Sequence, residues 1–280
     1  MIEIQNVSFT YGRRKPLVLE DLNFSLESGA VYGLLGKNGT GKSTLLYLLS
    51  GLLRPTAGRV WMSGMQPQER RPELLRDIYL LPEEVNTPAV SMREYVALNS
   101  PFSPNFSQEL LEYCLREFEL PLDMKLGELS MGQKKKAMVS FALATNTRLL
   151  LMDEPTNGLD IPAKSQFRKV VARSITDDRV MVISTHQVRD VELLLDHMLI
   201  IGGSRLLLDS TVSAVCERFC FSERALGEPM DDVIYAEPSL RGQTVITPNT
   251  TGTDTVLNLE LLFNALQVCP DKLLAELAAK

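Results

Sequence analysis

The segment Gly36-Lys37-Asn38-Gly39-Thr40-Gly41-Lys42-Ser43 has the residue types and spacing of a phosphate-binding loop. Gly36, Gly39 and Gly41 let the backbone turn so that successive N–H groups face an anion, and a helix beginning at Ser43 would present its positive end to the same anion. Lys42 would neutralise outer phosphates and Ser43 would ligate Mg²⁺, so the nucleotide-contacting set runs through Gly36, Lys37, Asn38, Gly39, Thr40, Gly41, Lys42, Ser43 and Thr44. A second constellation is Leu149-Leu150-Leu151-Met152-Asp153-Glu154, an apolar run closed by two carboxylates. Alone, such a pair reads as a solvated turn. Beside a phosphate loop it divides the chemistry: Asp153 holds Mg²⁺ through water, and Glu154 polarises the water that attacks a terminal phosphate. The two motifs together point to ATP or GTP binding.

Both constellations need a rigid sheet behind them. Ala30–Leu35 predicts a buried strand ending in the loop, and Ser43–Leu53 a helix after it, with Leu45, Leu46, Leu48 and Leu49 and no breaker. Residues 2–9 and 17–26 alternate apolar and polar side chains around turn residues, as antiparallel strands do. Residues 90–127 are patterned as helix, interrupted by the Pro/Ser/Asn segment 100–107. Arg148–Met152 and Val180–Ser184 return to buried-strand character with a helix over Ala163–Ser174 between them, which predicts a parallel sheet. The fold class is α/β. From about 219 the composition changes to Pro229, Pro238, Gly242, Pro248 and Gly252, then an amphipathic run with Leu259, Leu262, Phe263 and Leu266, read as a small C-terminal appendage.

At 280 residues the chain has room for one large domain and a small addition. A net charge of −6 argues against a sequence-independent grip on nucleic acid, which needs a cationic surface. Residues 204–280 carry 11 acidic and six basic side chains, so the tail holds most of that negative balance. A spanning helix needs about 20 apolar residues, and Leu193–Ile201, among the richest stretches, is interrupted by Asp196 and His197. The start Met-Ile-Glu-Ile-Gln-Asn lacks the pattern of a signal peptide, so the expected location is the cytoplasm. Cys114, Cys216, Cys220 and Cys269 read as small apolar residues, and Lys134, Lys135 and Lys136 as a solvated face.

Leu129-Ser130-Met131-Gly132-Gln133 resembles the signature of the ATP-binding-cassette (ABC) family. The family's motif order also matches along residues 1–215: Tyr11, the phosphate loop, Leu80-Leu81-Pro82-Glu83, the signature, Asp153-Glu154, Asn157-Gly158-Leu159-Asp160 and Ser184-Thr185-His186. The resemblance implies a phosphate-loop (RecA-like) ATPase core, with an N-terminal antiparallel β subdomain and an inserted α-helical subdomain at about 86–145. Residues 1–218 would form the nucleotide-binding domain and 219–280 an accessory segment. It implies that Tyr11 stacks on adenine, that His186 contacts the terminal phosphate, and that Lys42, Glu154 and His186 form the catalytic set. Ser43, Asp153 and Glu83 would surround Mg²⁺. Ser130, Met131, Gly132 and Gln133 would close on ATP held by a second subunit, while Asp160 lies in the loop linking the two sites. Simpler readings stand beside these: Ser130 and Asp160 as ordinary helix caps, Tyr11 as a core aromatic. Two departures are visible, Glu83 where the family has Gln and Met131 where it has Gly.

The function implied is that of an ATPase subunit dimerising around two Mg-ATP to drive a separate transmembrane permease, peripheral on the inner face of the membrane. The segment Asn99–Pro121 resembles export systems. Two other readings are an ABC ATPase acting on nucleic acid or ribosomes, and a regulatory subunit with weak turnover; the absence of paired cassettes and the intact Glu154 and His186 speak against them.

Overall fold

A computed structural model describes residues 1–225 and 227–278. The chain begins with β1 (Ile2–Phe9) and β2 (Leu19–Leu26), enters the central sheet at β3 (Ala30–Leu35), and passes through the glycine loop into α1 (Lys42–Leu49). It returns with β4 (Ala57–Met62), and β2, β1 and β4 make an antiparallel three-stranded sheet. A short helix α2 (Pro72–Leu75) leads to β5 (Ile78–Leu81). The helices α3 (Met92–Asn99), α4 (Gln108–Glu117) and α5 (Met131–Ala144) then intervene before the sheet resumes at β6 (Leu149–Asp153). α6 (Ile161–Ser174), β7 (Val180–Thr185), β8 (His197–Gly202), β9 (Arg205–Thr211) and α7 (Val212–Arg218) complete this part.

The central sheet runs β5-β6-β7-β3-β8-β9, parallel throughout except for β9, which pairs antiparallel with β8. Its inner strands β6, β7, β3 and β8 are buried on both faces, which explains their largely apolar sequences. Alternate side chains go to different cores. Tyr32, Leu34, Leu149, Leu151, Val180 and Val182 pack with α1 and the N-terminal antiparallel sheet. Val31, Leu35, Leu150, Met152, Met181 and Ile183 pack with α5 and α6. The inserted helices close around a third cluster that includes Met92, Leu111, Leu115 and Phe141.

Helix α1 stops four residues short of the expected Leu53. Gly51 takes φ +73° with its backbone pressed against Pro67, where a Cβ would sit 2.1 Å from the Pro67 carbonyl oxygen. The helix cannot continue through that contact.

After α7 come β10 (Phe219–Ala225), β11 (Tyr235–Ser239) and β12 (Gly242–Pro248), an antiparallel sheet in the order β10-β12-β11, then α8 (Leu259–Val268) and α9 (Pro270–Ala278). The apolar face of α8, with Leu259, Leu262 and Leu266, belongs to the same cluster as Met198, Ile200 and Val191. The C-terminal segment therefore has its own sheet yet covers part of the central one.

Candidate functional site

The phosphate loop connects β3 to α1, and its last glycine is the helix N-cap. Gly41 has φ +100°, with a Cβ position only 2.7 Å from Leu19 Cδ2, so neither the backbone angle nor the space admits a side chain. No side chain caps α1. Its first N–H groups are thus left for an external acceptor, the arrangement that binds anions. Lys42 is buried and reaches back across the loop, donating to the Gly36 carbonyl at 2.8 Å and the Lys37 carbonyl at 3.3 Å. Thr40 Oγ1 also donates to the Lys37 carbonyl, at 2.9 Å, which holds the loop closed.

At the end of β6, Asp153 is 2 % exposed and accepts a short hydrogen bond from Ser184 Oγ at the end of β7. The next residue, Glu154, has φ +44°, a backbone angle that carries strain of order 1–3 kcal/mol in a residue with a side chain. Its N–H is held by the Ser184 carbonyl at 3.1 Å and Ser184 Oγ at 3.2 Å. Glu154 Oε1 lies 3.5 Å from Lys42 Nζ and accepts from His186 Nδ1 at 2.9 Å. Glu154 Oε2 is buried without a hydrogen-bond partner among the described residues.

A cavity of about 370 Å³ opens over these groups, lined by Tyr11, Asn38, Lys42, Ser43, Glu83 and Glu154 among others. It unites most of the predicted nucleotide set, including Gly39, Gly41 and Thr44. Tyr11 is 53 % exposed rather than packed in the core; its hydroxyl lies 2.9 Å from Thr44 Oγ1 and its ring meets Phe9 edge-on. Glu83 accepts from Asn157 Nδ2 at 2.9 Å through Oε1. Neither His186 nor Asp153 lines the cavity itself: His186 bonds Glu154 from behind, and Asp153 is tied to Ser184, which also holds the Glu154 N–H.

The signature is placed elsewhere. Ser130 caps α5 and forms a capping box with Gln133, the Gln133 N–H donating to Ser130 Oγ at 3.3 Å and the Ser130 N–H to Gln133 Oε1 at 3.0 Å. Met131 is 74 % exposed and its methyl packs on Gly158, 3.2 Å from where a Cβ would stand. None of Ser130, Met131, Gly132 and Gln133 lines the cavity over Lys42. Asp160 caps α6, accepting from the Ala163 N–H at 2.9 Å, with Ile161 exposed beside it.

The solvated-face reading of the three lysines is corrected in part. Lys135 is buried and donates to the Glu83 carbonyl at 2.5 Å, while Lys136 is half-buried and donates to Gln166 Oε1 at 3.2 Å. Burial pushes the Lys135 ammonium below the usual lysine range, and the carboxylates of Glu83, Asp153 and Glu154 work against that push. A signal existed: Lys135 is three, four and seven residues before Met138, Val139 and Ala142, the buried face of α5.

The model of the ABC transporter family matches residues 19–157. Over 224 residues the chain is 31 % identical to Nod factor export ATP-binding protein I of Burkholderia orbicola, covering 77 % of this chain and 72 % of that one. Over 234 residues it is 30 % identical to an arabinose import ATP-binding protein of Chromohalobacter salexigens, covering 79 % and 47 %. Among solved structures, an ATP binding subunit of an ABC transporter matches with a TM-score of 0.68 and 26 % identity over 77 % of this chain and 91 % of that one. A phosphate loop over a carboxylate pair, a signature helix set apart from it, and relatives at this identity and coverage make the chain a member of the ABC family, the ATPase subunit of an ABC transporter.

Proposed function

We propose that the chain binds Mg-ATP in the cavity over Lys42, pairs head-to-tail with a second ATPase subunit, and couples hydrolysis to a separate transmembrane permease, in the direction of export. The observation that carries the catalytic part is Glu154, whose Oε1 is fixed by His186 and Lys42 while Oε2 is buried and unbonded. An acceptor left in that condition costs about 1–3 kcal/mol unless a ligand satisfies it. A water donating to Oε2 would remove that penalty and be the nucleophile, with Glu154 as its base.

Lys42 is the cation for the outer phosphates, exchanging its loop carbonyls for phosphate oxygens, and the bare start of α1 supplies N–H donors. Tyr11 offers its exposed ring to the base. His186 positions Glu154 and would contact the terminal phosphate of bound ATP. Ser43, Asp153 and Glu83 are the residues that would hold Mg²⁺, whose chemistry is to neutralise phosphate oxygens as charge develops. The signature residues Ser130, Met131, Gly132 and Gln133 lie outside the cavity of their own chain, which fits a role toward the nucleotide of a second subunit, with Asp160 and the exposed Ile161 at the joint.

Every motif lies in residues 1–218, proposed as the nucleotide-binding domain, and 219–280 are proposed as an accessory segment. Among the described residues, no helix is long and apolar enough to cross a membrane, which suits attachment through a partner at the cytoplasmic face. The export direction is supported by the Asn99–Pro121 segment and by the Nod factor export relative. The test is to purify the chain with the membrane protein that accompanies it and measure ATPase activity in wild type and Glu154→Gln. Activity that survives the substitution removes Glu154 as base, and a chain that purifies with no membrane protein removes the permease.

A further inference from the structure

The signature helix carries one buried cation, bonded to the backbone of Glu83. Lys135 is 4 % exposed, on the face of α5 that packs against the sheet with Met138 and Val139. Burying an ammonium is expensive unless opposite charge and hydrogen bonds meet it. Its Nζ donates to the Glu83 backbone carbonyl at 2.5 Å and makes no ion pair among the described residues, so the charges of Glu83, Asp153 and Glu154 reach it only at longer range. Glu83 is therefore gripped twice: its backbone by α5, and its carboxylate by Asn157 Nδ2 at 2.9 Å from the loop that follows Glu154. Glu83, Asn157, Lys135 and Met131 also share the wall of a second cavity of about 480 Å³.

A carboxylate at position 83 adds negative charge to a site already holding Asp153 and Glu154, and the ligand brings phosphates. We propose that Lys135 is the counter-charge that lets a carboxylate stand at position 83, and a positioning residue that ties Glu83 to the signature helix. This rests on the reading that Glu83 faces the Mg-ATP site. Lys42 serves the phosphates and Glu154, whereas Lys135 balances the residue that distinguishes this chain from the signature family's usual amide.

The experiment is a double-mutant cycle on Glu83→Gln and Lys135→Met, read by isothermal titration of ATP without metal and by the Mg²⁺ dependence of ATPase activity. Lys135→Met alone is expected to weaken metal-free ATP binding about tenfold, because the Glu83 charge is left unbalanced. The double variant should return to within about twofold of wild type, and Lys135→Arg should stay near it. Where the methionine variant does not fold, Lys135→Gln takes its place in the cycle. A Lys135→Met effect of the same size with Glu or Gln at position 83 overturns the counter-charge role while leaving Glu83 at the site. Superimposable metal-free affinity and Mg²⁺ curves for wild type and Glu83→Gln overturn the placement of Glu83 itself.

Discussion

The two helices that open on the phosphate loop and on the signature, α1 and α5, have starts that are built differently. α1 opens on Gly41 with no side-chain cap, whereas α5 opens on Ser130 inside a capping box with Gln133. α3 and α6 are capped in the same manner as α5, by Ser91 and Asp160. The bare start sets α1 apart from these three and leaves its first donors without a side-chain acceptor. The capped start is already satisfied by its own residues, so binding phosphate there requires Ser130 to exchange its long 3.3 Å bond or to use remaining N–H groups.

The largest expected break in that comparison comes from the bare start. Lys42→Ala removes the buried cation that spans the loop, and ATP binding should be lost. Thermal unfolding reads this directly: ATP at 100 times its dissociation constant stabilises the wild type by about 2.7 kcal/mol, and the variant should show no shift. A wild-type shift in the variant would mean that the α1 start is not the site.

Next in size, Glu154→Gln should keep nucleotide binding and lower turnover by about 10²–10⁴-fold, the usual worth of a positioned base. The amide preserves the shape held by His186 while losing the acceptor. Steady-state ATPase assays with parallel ATP titration separate the two effects; equal loss of both would assign Glu154 to binding.

The smallest effect belongs to the capped start. Ser130→Ala should cost about 1 kcal/mol in urea unfolding through the lost cap, with ATP affinity of the single chain unchanged. A drop in single-chain ATP affinity would place the signature in the cis site after all.

Much of this was legible in advance where the residue pattern had one physical solution. Leu149–Asp153 is buried on both faces and reads as an unbroken apolar strand, and the glycine spacing from Gly36 to Gly41 has few uses other than a phosphate turn. The reading failed where a tertiary contact decided the outcome. Nothing local announces that Gly51 will be pressed against Pro67 and end α1. The appendage read from about 219 came without any strand, yet β11 is an edge strand that tolerates Pro238, and Pro248 closes β12. Lys135 was hidden by its neighbours, since three consecutive lysines look solvated until the buried face of α5 is fixed by packing.

On the proposed function, the two helix starts complete one ATP site only across two chains. Light scattering of Glu154→Gln with Mg-ATP tests it most directly, beside the same variant carrying Ser130→Arg. Nucleotide should convert Glu154→Gln from monomer to dimer, and the added arginine should keep it monomeric while ATP still binds. A Glu154→Gln chain that stays monomeric at high protein concentration with ATP bound, or a dimer indifferent to Ser130→Arg, would contradict it.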